Sequence, residues 1–332
     1  MQIAATVGES GHTPATIADF LPETDPLRPL SVRLGRRIGA TDVKDLAGRV
    51  HALRLADDVL AGRDLIGPAL RELRSAVKLY REASYTAEVG RSMLLQIGEL
   101  AQISGWIASD AGRHDEADRI YRLGISAAAQ AEDPALIGNL AGSLAYQYSN
   151  TGREADGVLL ARAAWDSVSR EAPAAVQALT LDRLAWAHTK AHENQDAMRN
   201  LGLASEALAD ETNRIPSPNY LYWVNQGELQ VMEARVYTEL HRPLRAVPQL
   251  KDVLKRYDSA HVRETALYLS WLAVALADAN EPEESAQTAA RVISLSSDVA
   301  SDRTAERVRV VVNRLEQYRD VPEVRYVLDN VA

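Results

Sequence analysis

"GWIASDAGRHDEADRIY" at Gly105–Tyr121 is the stretch that decides the fold. A small residue, Gly105, stands directly before a large ring, Trp106. A second small residue, Ala117, follows twelve positions later, with a polar turn around Gly112 between them and Tyr121 behind. Two helices approach closely only where small side chains meet, so the segment reads as a tight helix–turn–helix hairpin. The pattern returns as "AYQYSNTGREADGVLLA" from Ala145, "AWAHTKAHENQDAMRNL" from Ala185 and "ARVYTELHRPLRAVPQL" from Ala234. A weaker fifth copy, "LAVALADANEPEESAQTAA", carries Ala273 and Ser285. The small second-helix residues run Ala117, Gly157, Ala197 and Ala246. Trp106, Tyr146 and Trp186 stand 40 residues apart, each just after a small residue.

Agreement at several positions across the copies predicts an all-α protein, a right-handed α-solenoid of tetratricopeptide-like (TPR-like) helix pairs. The unit, near forty residues, exceeds the usual 34 or so of such repeats, and the extra length is expected in the second helix and its exit loop. Working outward, "DVKDLAGRVHALRLADDVLAG" repeats Leu and Val at helical steps and is expected to stop at Gly62; "DLIGPALRELRSAVKLYREA" continues the pattern. Pro134, Pro173, Pro216, Pro218, Pro282 and Pro322 fall between helices, and no alternating β-branched run meets a hairpin dipeptide. Residues 1–40 read as a partly irregular N-terminal extension, and 41–332 as the repeat domain.

Composition narrows the function. The apolar fraction of 46% and charged fraction of 25% are those of a soluble globular chain. A formal net charge of −9 argues against direct nucleic-acid binding, which rests on a basic surface. The absence of cysteine excludes disulfides, thiolate metal sites and a cysteine nucleophile. "MQIAATVGES" lacks the basic and apolar regions of a signal peptide, and the run "WLAVALA" is too short for a bilayer, so the expected location is cytoplasmic, away from membranes.

"YTAEVGRSMLLQIGELAQISGWIASDAGRHDEADRIY", "HVRETALYLSWLAVALADA" and "SDRTAERVRVVVNRLEQY" resemble the C-terminal TPR-like region of actinobacterial regulators that open with a Cro-like (XRE-family) helix-turn-helix. The resemblance runs from about residue 32 onward. It implies a sensing or partner-binding role in transcriptional regulation. The stretch before Thr41 is too short for the DNA-binding domain of such regulators, so direct DNA binding by this chain is not expected.

In a repeat array of this kind the first helices of the units line the concave face. The position after each small first-helix residue holds Trp106, Tyr146, Trp186 and Arg235. One turn earlier stand Gln102, Gly142, Asp182 and Val231; two turns earlier, Glu99, Asn139, Leu179 and Glu228. Flat amphipathic rings with interleaved Asp, Glu, Asn and Gln suit a peptide or a small amphipathic ligand: rings offer area at low entropic cost and polar groups set orientation. The competing reading packs the rings between repeats as core. Trp186, with Asp182 one turn earlier and Arg235 in the same phase of the next unit, is the ring expected to stay accessible.

Other constellations carry less. His188 and His192 in "HTKAH" have the i, i+4 spacing of a zinc pair, but no third ligand or protease glutamate accompanies them, and no metal or other cofactor is expected. Arg28, Arg33, Arg36 and Arg37 make a small basic cluster, read as a solvated face. No phosphate loop, nucleophile elbow or Gly-x-Gly-x-x-Gly occurs; Asp57–Asp58 and Glu283–Glu284 are adjacent carboxylates that splay around a helix. The chain is therefore expected to bind rather than catalyse. Its partner would be a peptide, a small molecule or a protein in the concave groove, with a homodimer left open. An adaptor docking other proteins is the alternative, and an enzyme the least supported one.

Overall fold

The computed structural model describes residues 15–30, 35–58, 60, 62–168, 171–210, 212–256, 262–298 and 302–330. The helices are α1 (Ala40–Asp57), α2 (Gly62–Glu82), α3 (Ala87–Asp110), α4 (His114–Gln130), α5 (Pro134–Asn150), α6 (Glu154–Ser167) and α7 (Ala174–Lys190), followed by α8 (Asn194–Ala209), α9 (Gln226–Glu239), α10 (Pro243–Leu254), α11 (Val262–Asp278), α12 (Pro282–Asp298), α13 (Asp302–Leu315) and α14 (Pro322–Asn330). Among the described residues there is no strand, only a single bridge between Arg37 and Ser84. Consecutive helices pack together. Each odd-numbered helix also packs on the next odd one, from α1 through α13.

The small residues sit where the helices cross. Ala117, Ala145, Ala185, Ala197, Ala234, Ala246, Ala273 and Ser285 have no exposed surface. A Cβ on Gly105 would lie 2.7 Å from the Tyr121 ring, and one on Gly157 would lie 3.2 Å from the Ala145 carbonyl and closer still to the Ser149 hydroxyl. In the weak fifth copy the pairing is a hydrogen bond: Ser285 Oγ donates to the Ala273 carbonyl at 2.7 Å.

One turn geometry joins the two helices of each hairpin. Gly112, Gly152, His192, His241 and Asn280 all lie in the left-handed region, with φ between 51° and 79°. The residue after each sends its N–H back to a carbonyl five positions earlier: Arg113 to Ala108, Arg153 to Tyr148, Glu193 to His188, Arg242 to Tyr237 and Glu281 to Leu276. This bond closes the end of the first helix and reverses the chain. Prolines then open helices, Pro134 and Pro243 in the first turn of α5 and α10, and Pro173 at the cap of α7.

Two expectations need correction. Gly62 opens α2 instead of closing α1, which ends at Asp57. The second helices are not the longer ones: α5 and α7 have 17 residues each, α6 and α8 have 14 and 16. Pro216 and Pro218 do fall between helices, within a long α8–α9 connection. It makes Ala185 and Ala234 stand 49 residues apart instead of 40. The connection leaves its own hairpin and packs on the first core: Tyr220 and Leu221 are buried there, with Trp223 and Val224 against them. Its Tyr222 hydroxyl donates to Asp58 at the end of α1, at 2.6 Å across 164 residues of sequence.

Among the described residues before α1, a short 3-10 turn at Ile17–Phe20 and the bridge at Arg37 are the regular elements. Leu27 is wholly buried. Arg122 donates to the Phe20 carbonyl at 2.9 Å and Arg81 to the Arg28 carbonyl at 3.2 Å. Within the basic cluster, Arg36 pairs with Asp42 at 2.6 Å; Arg33 lies outside the described residues.

Candidate functional site

The three evenly spaced rings form a continuous ladder of tilted contacts. Trp106 (α3) and Tyr146 (α5) have centroids 6.0 Å apart, and Tyr146 and Trp186 (α7) 5.8 Å. Trp271 (α11) meets Trp186 edge-on at 5.8 Å. On α9 the same register position holds Arg235. Its guanidinium lies 4.6 Å from the Trp186 centroid, 5.2 Å from Trp271 and 5.5 Å from Tyr146, and its Nη2 donates to the Tyr146 hydroxyl at 2.5 Å. Arg183 lies 4.6 Å from the Tyr146 centroid and 5.9 Å from Trp106. Arg307 (α13) covers Trp271 at 3.6 Å. Flat guanidinium planes over ring faces keep their charge while sharing an apolar site.

Beside this ladder a cavity of about 500 Å3 opens between α1, α3, α5, α7, α9 and α11, all odd-numbered helices, with the α8–α9 connection as one wall. Gln102, Trp106, Asn139, Glu228 and Arg235, expected at a groove, line it together. Tyr146 is half-buried between its two neighbouring rings. Glu99 instead braces the wall: Arg54, buried, donates to Gln102 Oε1 at 2.9 Å and to the Glu99 carbonyl at 3.1 Å, with the Glu99 carboxylate 3.5 Å away. Burial pushes the Glu99 carboxyl above its usual range and Arg54 opposes that shift.

Two expectations fail here. Trp186 is only 3% exposed, so it is core and the accessible end of the ladder is Trp106. Asp182 is 2% exposed and does not line the cavity. The position four before each ring reaches the cavity only at Gln102 and Val231, whereas the position three before it faces the cavity throughout. That row is Ile103, Ser143, Arg183 and Met232, and every member lines the wall. The same spacing that marked the rings marks this row. Arg54 and Tyr220, also in the wall, have no repeat signal, because they come from α1 and from the unrepeated connection.

Asp182 lies beneath Arg183, 3.8 Å from its guanidinium. Burial raises its carboxyl above the usual 3.8, while Arg183 and Arg235 pull it down. Elsewhere in the wall the acids hold tyrosine hydroxyls: Tyr222 donates to Asp58, and Tyr268 to Glu228 at 2.9 Å. Burial and the carboxylate of Asp58 both raise the Tyr222 hydroxyl's pKa.

The histidine pair separates. His192 is the left-handed turn residue. His188 is buried and its Nδ1 meets Glu193 Oε2 at 2.5 Å. Among the described residues the one group of metal-ligand type atoms drawn together is His188, Glu193 and Asp196, within 4.8 Å of one another; Asp196 also pairs with Arg199 at 3.4 Å. No helix among the described residues is long and apolar enough to cross a membrane.

No protein-family model matches the chain, and neither curated proteins nor solved structures yield a match.

Proposed function

We propose that the chain is a right-handed α-solenoid of TPR-like hairpins that senses a small molecule or short peptide in its concave groove and acts in transcriptional regulation, in the cytoplasm, through contacts with other proteins. The observation that carries this reading is the cavity at the end of the ring ladder. Its volume is in the range of ligand sites, about 300–1,000 Å3. Its walls combine five aromatic rings, four apolar side chains and twelve polar or charged ones, nearly all drawn from six helices and one connection. A ligand touching so many repeats would bias their relative packing, and a change of curvature would reach a partner surface. Duplex DNA binding by this chain alone is not expected at about 0.15 M salt, given the net charge of −9.

The test is a thermal-shift screen of metabolites and short peptides on the parent chain and on Met232→Trp, which fills the cavity from its wall. A ligand that stabilises the parent and not the filled variant supports the sensor. A ligand or protein that binds both equally removes the cavity from the account and favours the adaptor reading.

A further inference from the structure

We propose that the cavity selects a compact carboxylic acid carrying an aromatic or apolar body, whose carboxylate is taken by Arg235, Tyr220 and Asn139. This rests on the sensor reading and names its ligand class.

The argument begins with donors that lack acceptors. Arg235 is 8% exposed and its Nε has no partner. Tyr220 is 6% exposed and its hydroxyl also has none. Both residues line the cavity, as does Asn139, whose side-chain amide makes no hydrogen bond among the described residues. Leaving a buried donor unpaired is costly, more so on a cation. These atoms lie just beneath the wall, so binding includes a side-chain adjustment that uncovers them. A carboxylate offers acceptors in the plane that a guanidinium edge prefers.

Charge points the same way and sets a limit. Among the described residues Asp182 is the acid that both Arg183 and Arg235 act on, and burial opposes its ionisation. The deep end is therefore short of negative charge. Among the described residues of the wall, however, Arg54, Arg183, Arg235 and Arg256 are matched by Asp57, Asp58, Glu228 and Glu264. A monoanion answers the local deficit. A phosphate dianion would meet four carboxylates at close range. An amine would suit the acids, but Asp58 and Glu228 already hold the Tyr222 and Tyr268 hydroxyls, and Asp57 and Glu264 have partners of their own.

The rest of the wall chooses the body. Trp106 ends the ladder at the cavity, with Ile103, Met232 and Leu267 beside it, which suits a ring that stacks and fills. The α8–α9 connection contributes Tyr220, Tyr222 and Trp223 to the wall, which adds further ring surface for a compact body.

The experiment is titration calorimetry of the full chain with four probes that share one ring: 1-naphthylacetate, 1-naphthylacetamide, 2-(1-naphthyl)ethylamine and 1-naphthyl phosphate. The acid is expected to bind at least ten-fold more tightly than each of the others. Tyr220→Phe, which removes one hydroxyl and little packing, should weaken the acid several-fold and leave the amide unchanged. Arg235→Gln should abolish the preference for acid over amide. Equal binding of acid and amide, or preference for amine or phosphate, overturns the carboxylate assignment while the cavity remains a ligand site. Binding of none of the four overturns both.

Discussion

The Arg235 guanidinium lies 4.6 Å over the Trp186 ring, and between them they close the centre of the ladder. Arg235 takes the register position that a ring holds in three other units, so a cation is built into an aromatic ladder. The ring beneath it is core. Trp186→Ala is therefore expected to lower stability by about 3–5 kcal/mol, the range for a buried tryptophan. Trp106→Ala, at the half-buried end of the ladder, should cost clearly less. Denaturant midpoints of the two variants measure the difference. Equal losses would mean that the ladder does not end at the cavity.

The helix contacts offer an independent check on the register. Ala117 has no exposed surface and lies on the face of α4 that meets α3. Ala117→Leu adds bulk where nothing can move aside, and should destabilise by about 1–3 kcal/mol. Thermal unfolding indistinguishable from the parent would show that the close approach is not at this residue.

How much of this was legible in the sequence depends on which interaction fixes each part. Hairpins were legible because small residues and turns repeat in phase, and the turn at Gly112 and Gly152 needs a residue tolerant of positive φ. The rings were legible as a ladder for the same reason. That the row three before the ring faces the cavity throughout, and the row four before it only at Gln102 and Val231, was not. A choice between three and four residues before the ring is a rotation of about 100° on a helix, and neighbouring helices decide it. Arg183 was thus passed over for its neighbour Asp182. The 49-residue spacing showed that something was inserted between Ala185 and Ala234, but not that Tyr222 reaches Asp58. That contact is tertiary and leaves no period to read.

His192 gives a prediction in the opposite direction. It occupies with φ 61° the turn position that Gly112 and Gly152 hold in earlier hairpins. A side chain in the left-handed region carries a cost of roughly 1–2 kcal/mol that glycine avoids, offset in part by glycine's greater freedom when unfolded. His192→Gly should raise stability by up to about 1 kcal/mol. Chemical denaturation would show it. A loss of stability would give the imidazole a structural role beyond its backbone.

Asp182 supplies the pH dependence. Burial raises its carboxyl above 3.8 in the folded chain, against the opposing pull of Arg183 and Arg235. The folded state then holds this proton more tightly than the unfolded state does. Its contribution is fully present below pH 3.8, the ordinary value, and is lost as the pH rises through the folded value. Asp182→Asn keeps the neutral form at every pH. The variant should match the parent most closely near pH 4 and gain on it as the pH rises to about 7. Urea unfolding of both chains across that range isolates this one group, because every other titrating residue is common to the pair. If the parent instead gains on the variant with rising pH, the two arginines hold Asp182 as a carboxylate, and the deep end of the cavity already carries its anion.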